Sequence, residues 1–229
     1  MKENAMQIAF ILDRSGSMGS IAEATVEGVN AFLEEQKNSP TETSIQFVQF
    51  DDLYEEIYDG KIDQVPFLSM AKPGTDQQRQ FVPRGWTALL DAMGRAMTEM
   101  GERLSALSEE ERPAKVVVVI MTDGQENSSK KYTRDQIATL IQQQRDVYKW
   151  EFQYLGANQD AIEVAAQYNI PRQNAVTYRA SDAGTKNVMR AASNKIYSYG
   201  VTGQSLAMNF DDTDREAAME FDKSTIIKP

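Results

Sequence analysis

The chain has 229 residues, a net charge of −10 and neither cysteine nor histidine. This excludes disulfides, thiolate metal sites and histidine-based acid–base chemistry, and the acidic balance argues against general affinity for nucleic-acid backbones or anionic membranes. An apolar share of 41% is enough for one large domain, no apolar run reaches the length of a membrane span and no leader pattern is visible, so a soluble cytoplasmic domain is the expectation.

Ile8 to Leu12 is a continuous apolar run, the pattern of a strand covered on both faces. It runs straight into Asp13-Arg14-Ser15-Gly16-Ser17. From Ile21 to Gln36 apolar residues recur at helical spacing. Thr43 to Phe50 reads as a strand and Leu53 to Tyr58 as a looser one, ended by the turn signal Asp59-Gly60. Together they predict an antiparallel hairpin at a sheet edge. Lys61 to Arg84, with Pro66, Pro73, Pro83 and Gly74, reads as loop with short extended pieces.

Thr87 to Arg103 predicts a helix, with Met93, Met97 and Met100 on its core face, and Leu104 to Arg112 a charged helical extension. Lys115 to Met121 is β-branched and uninterrupted, a central strand closed by Thr122-Asp123-Gly124. Thr133 caps a helix to about Tyr148. Trp150 to Leu155 is a strand, Asp160 to Tyr168 a short helix, and Ala175 to Tyr178 a last strand. Ser181 or Asp182 then caps a helix to about Tyr199. The polar, acidic tail from residue 201 to 229 has room for one short helix after Asp212 or Thr213, and reads either as a frayed end or as a docked segment.

This alternation predicts an α/β fold over residues 1–200: a doubly wound, mainly parallel sheet with one antiparallel edge strand and helices on both faces. Such sheets bind ligands beyond the carboxyl ends of their strands, at the point where strand order reverses. Three loops fall there. Asp13, Ser15 and Ser17 alternate after the first strand, Thr87 precedes a helix, and Asp123 ends the central strand. Oxygen donors without nitrogen or sulfur suit a hard divalent cation. Otherwise Ser15 and Ser17 merely cap the following helix and Asp123 merely ends a strand.

The set of Asp13-x-Ser15-x-Ser17, Thr87 and Asp123 resembles the metal-ion-dependent adhesion site of the von Willebrand factor A domain, here of the stand-alone bacterial or bacteriophage type, over about Met6 to Tyr199. The resemblance implies a Rossmann-like fold. It implies Mg²⁺ (or Mn²⁺ or Ca²⁺) bound directly by Ser15, Ser17 and Thr87, with Asp13 and Asp123 acting through water or one of them binding directly. It further implies a non-enzymatic module that captures an acidic side chain of a protein partner. The partner classes it suggests are a MoxR-type AAA+ ATPase, on a separate chain since no phosphate-loop motif occurs here, or a tellurite-resistance or metal-chelatase assembly. A phosphohydrolase with Asp13 as nucleophile and a nucleic-acid-associated A domain are the alternatives.

Many bacterial relatives read Gly-Gly-Thr where this chain reads Gly85-Trp86-Thr87. Trp86 is therefore either an interface anchor or a ring folded onto the sheet top. Arg14 and Arg84 either steer an acidic partner or offset local negative charge. Asp51-Asp52 reads as a pair of solvated turn acids rather than a second cation site, and Glu126 and Asn127 as residues that shape their loop.

Overall fold

A computed structural model describes residues 1–70, 80–158 and 160–220. Pro73, Gly74, Gln159 and the end of the tail from Phe221 lie outside the described residues.

Eight strands and six α-helices make up the regular structure of the described residues. Strand β1 is Lys2–Asp13, longer than its apolar run because Lys2 to Asn4 continue it at the solvent edge. Helix α1 (Ala22–Lys37) leads to β2 (Glu42–Phe50) and β3 (Tyr54–Lys61). Two short strands, β4 (Ser69–Met70) and β5 (Gln80–Phe81), pair with each other. Then come α2 (Leu89–Ala106), β6 (Pro113–Thr122), α3 (Arg134–Tyr148), β7 (Glu151–Ala157), α4 (Ala161–Gln167), β8 (Ala175–Tyr178), α5 (Asp182–Thr202) and α6 (Asp212–Ala218).

The main sheet has the order β3-β2-β1-β6-β7-β8. All pairings are parallel except β2 with β3, the expected edge hairpin. Chain order runs outward from β1 through β2 on one side and from β6 through β7 on the other, so strand order reverses between β1 and β6. The register sets Leu12 against Met121 and Asp13 against Phe50. The loops after β1, β2 and β6 therefore leave the sheet side by side.

Alternation along β1 divides the core into two layers. Met6, Ile8, Phe10 and Leu12 face α1 and α5, where Phe10 meets Phe32 and Phe47 edge-on at centroid distances of 5.0 and 5.5 Å. Ala9 and Ile11 face the layer under α2, α3 and α4, which includes the fully buried Met93, Met97 and Met100.

The charged helical extension from Leu104 to Arg112 does not form. α2 ends at Ala106 and Leu107 is extended (ψ 148°). The Arg112 guanidinium takes the carbonyls of Leu104 and Leu107 at 2.9 and 3.1 Å, and Pro113 disfavours a helical Arg112. Beyond α5, residues 203–220 pack back onto the domain. Met208, Phe210 and Ala218 join the core layer beneath α5, and the Arg179 amide donates to the Ala218 carbonyl at 2.9 Å. Asp211 caps α6 with a reciprocal bond to Asp214.

Candidate metal centre

β1 delivers Asp13 to the sheet top as its last residue, fully buried. One carboxylate oxygen accepts the Ser15 amide at 2.6 Å and the other accepts the Thr122 hydroxyl at 2.6 Å. The chain then forms a single 3₁₀ segment (Gly16–Ile21) before α1 begins at Ala22. The Ser15 hydroxyl makes no capping bond to that segment. Instead it lies 3.1 Å from the Ser17 hydroxyl, which donates to an Asp123 carboxylate oxygen at 2.6 Å.

Thr87 arrives from the second loop, buried, two residues before α2. Gly124 marks where it points: a Cβ on Gly124 would lie 3.0 Å from the Thr87 hydroxyl oxygen and 3.6 Å from that of Ser17. The three loops are also tied through the backbone. Gly16 donates to the Gly85 carbonyl at 3.4 Å, and Thr87 and Asn127 are joined by two bonds, of 2.9 and 3.1 Å. Glu126 caps α2 by accepting the Leu90 amide at 2.9 Å and takes the Ser128 and Ser129 amides besides. The third loop is thus braced by the two residues read from sequence as loop-shaping.

Burial lifts the Asp13 carboxyl to about 6, against the opposing pull of its hydrogen bonds from Thr122 and Ser15. Asp123 is raised for the same first reason. Tyr178, at the end of β8, is fully buried with its hydroxyl unpartnered among the described residues. Its pKa is pushed well above the usual tyrosine value, first by burial and then by the charges of Asp123 and Asp13. Sequence reasoning passed over Tyr178 and Thr122; Thr122 had a signal in its place beside Asp123.

The donor set is compatible with a hard divalent ion. It comprises three hydroxyls and two carboxylates, all oxygen, and the missing side chain of Gly124 leaves the space they share. Among the described residues no group of three or more Asp, Glu, His or Cys could hold a metal. A site here would therefore rely on the hydroxyls.

The neighbouring side chains divide sharply. Trp86 is 67% exposed rather than folded onto the sheet top, and Leu53 is also exposed. Between β3 and α2 a groove of about 480 Å³ opens beside Ala88, with the Arg95 guanidinium 4.1 Å over the Tyr54 ring. Arg14, read from sequence as a steering or charge-offsetting group, is buried in ion pairs with Asp51 and Glu55 at 3.0 and 2.7 Å. Arg84, half exposed, joins the same two acids at 2.9 and 3.1 Å. Asp51 is not the solvated turn acid that its sequence suggests: these guanidiniums let it be fully buried.

The fold, the reversal point and the convergence of the three loops define an A-type domain. The chain belongs to the von Willebrand factor type A domain family, whose model matches residues 7–191. That family commonly serves as a metal-dependent protein-interaction module. A search of curated protein sequences returned no match. Among solved structures the chain is similar to a von Willebrand factor type A protein from Catenulispora acidiphila, with 14% identity, a TM-score of 0.56 and coverage of 84% of this chain and 42% of that one. It is also similar to proximal thread matrix protein 1 from the mussel byssus with a zinc-occupied MIDAS motif, with 17% identity, TM-score 0.53 and coverage of 84% and 46%. The PilB minor pilin from Streptococcus sanguinis has 10% identity, TM-score 0.57 and coverage of 87% and 63%. The chain thus spans less than two thirds of each of these proteins, and at such identities the likeness is one of fold. No helix among the described residues is long and apolar enough to cross a membrane.

Proposed function

We propose that this chain is a binding module that captures an acidic side chain of a partner protein through a divalent cation, Mg²⁺ by preference. Ser15, Ser17 and Thr87 would hold the ion as neutral ligands, with Asp13 and Asp123 supplying charge. Neutral ligands cancel little of the ion's charge, so a bound ion would offer an electrophilic position to an incoming carboxylate. The observation that carries this reading is the meeting of Ser15, Ser17 and Asp123 at 3.1 and 2.6 Å beside the Thr87 hydroxyl.

The exposed Trp86 and Leu53 fit an interface rim around that position. The zinc-occupied MIDAS of the byssus protein is consistent with metal binding in this fold. A MoxR-type ATPase on another chain is the partner class that the family resemblance suggests. Binding rather than hydrolysis is favoured because Asp13, the only nucleophile the phosphohydrolase reading offers, is buried with both oxygens engaged.

Thermal melts in Mg²⁺, Mn²⁺ and chelator test the reading. A ligand at about a hundred times its Kd adds about 2.7 kcal/mol to the stability of the folded state. The wild type should gain on that scale, and the double substitution Ser15→Ala with Ser17→Ala should abolish the gain while still melting cooperatively. A wild type that melts identically with metal and with chelator would refute the cation site.

A further inference from the structure

We propose that Asp51 is the positioning residue of the candidate cation site. It clamps the loop carrying Ser15 and Ser17 against the loop carrying Thr87, and it cancels the arginine charge beside the ion. This rests on the reading of those loops as a cation site.

A fully buried carboxylate persists only where counter-charge or hydrogen bonds replace lost water. Asp51 has both. Its Oδ2 accepts Arg14 Nε at 3.0 Å and Arg84 Nε at 2.9 Å, and its Oδ1 accepts the Leu53 amide at 2.6 Å. Glu55 takes Arg14 Nη1 at 2.7 Å and Arg84 Nη2 at 3.1 Å. The main chain repeats the connection. Arg14 donates to the Phe50 carbonyl at 2.8 Å, Arg84 to the Arg14 carbonyl at 2.9 Å, and Ala88 to the Asp51 carbonyl at 2.9 Å.

Arg14 precedes Ser15 and Ala88 follows Thr87. Asp51 therefore holds the immediate neighbours of hydroxyls on two different loops. The unit of two guanidiniums and two carboxylates is neutral. Without the Asp51 charge, one surplus positive charge would stand beside the cation site, with Arg14 buried and unable to move away. Loss of Asp51 thus weakens cation binding twice, by loosening the loops and by repelling the ion.

Asp51→Asn keeps the shape and removes the charge. In chelator, hydrogen exchange at the Arg84 and Ala88 amides should speed up about ten-fold, while Phe10 and Val118 in the sheet stay protected. The Kd for Mn²⁺ should rise about ten-fold or more, the usual cost of losing a residue that orients metal ligands. Leu104→Ala, a core truncation at the far end of α2, serves as the matched destabilised control and should leave that Kd unchanged. Adding Arg84→Gln to Asp51→Asn removes the surplus charge and should restore part of the affinity.

If Asp51→Asn does not fold, Glu55→Gln at the exposed end of the unit should raise the Kd by about three-fold through the same charge imbalance. Wild-type exchange at Arg84 and Ala88 in Asp51→Asn, or a Kd change no larger than that of Leu104→Ala, overturns the proposal alone. A wild type that takes up no Mn²⁺ overturns the cation-site reading and this proposal with it.

Discussion

Asp13→Asn separates the cost of the site from its use. Asp13 is fully buried, and burial raises its pKa from 3.8 to about 6. The folded chain therefore binds the Asp13 proton more tightly than the unfolded chain. The resulting loss of stability begins as pH rises past the unfolded value near 4 and is complete above the folded value near 6. At 1.36 kcal/mol per pKa unit, the step from 3.8 to about 6 amounts to about 3 kcal/mol at neutral pH.

Asparagine has the same shape and no charge. Its oxygen can keep the Ser15 amide, and its amide can donate to the Thr122 hydroxyl, whose own hydrogen has the Gly124 carbonyl at 3.1 Å. In chelator near neutral pH the variant should be more stable than wild type by up to about 3 kcal/mol, a rise in Tm of roughly 6–12 °C for a chain of this size. Near pH 4 the advantage should vanish, because wild-type Asp13 is then protonated as well. Millimolar Mg²⁺ should raise the Tm of the wild type and leave the variant unmoved. Melts followed by circular dichroism across this pH range, with metal and with chelator, measure all three effects. A variant less stable than wild type at neutral pH in chelator, or equally advantaged near pH 4, would refute the reasoning.

Two further substitutions probe the site and the docked tail. Gly124→Ala would place its methyl 3.0 Å from the Thr87 oxygen and 3.6 Å from that of Ser17. It should change stability in chelator by less than about 1 kcal/mol yet erase the Mg²⁺-dependent rise in Tm; a persisting rise would show that these hydroxyls do not share a ligand. Gly184→Ala would drive a methyl into the Arg179 carbonyl oxygen and to 2.8 Å from that of Ala218. Both are backbone atoms, so the Arg179 turn before α5 must shift, and α6 with it because the Arg179 amide holds the Ala218 carbonyl, at a cost of about 1–3 kcal/mol. Limited proteolysis should then cut between Gly203 and Glu220 faster than in wild type.

What the sequence reveals of this molecule follows the range of the forces involved. The run from Ile8 to Leu12 and the stretch Lys115 to Met121 identify themselves because a strand buried on both faces must be apolar throughout. Ser15 and Ser17 are legible because their spacing and the preceding strand are local. Asp51 is not, because its partners Arg14 and Arg84 lie 37 and 33 residues away and only the sheet order brings them together. The end of α2 is not legible either, for a related reason. The charges from Leu104 to Arg112 suit a helix equally well, and the Arg112 contacts with the Leu104 and Leu107 carbonyls that stop it exist only in three dimensions. The tail offers too few apolar residues to form a periodic stripe, so the burial of Met208, Phe210 and Ala218 is decided by the surface waiting under α5.

The buried aspartates at the sheet top make the case for a cation by contrast. Asp51 and Asp13 are equally buried. The fold gives Asp51 two guanidiniums within 3.0 Å. To Asp13 and Asp123, among the described residues, it gives no lysine or arginine within ion-pair distance, only hydroxyl and amide donors, and both carboxyls are shifted upward. Counter-charge was available at the next residue, since Arg14 adjoins Asp13 directly but is turned toward Asp51. A sequence under pressure for stability alone would neutralise Asp13 or replace it. Leaving one fully buried and one partly buried carboxylate beside three converging hydroxyls makes sense if the missing positive charge comes from outside the chain, and a divalent cation is the species whose donor preferences those five oxygen-bearing side chains match.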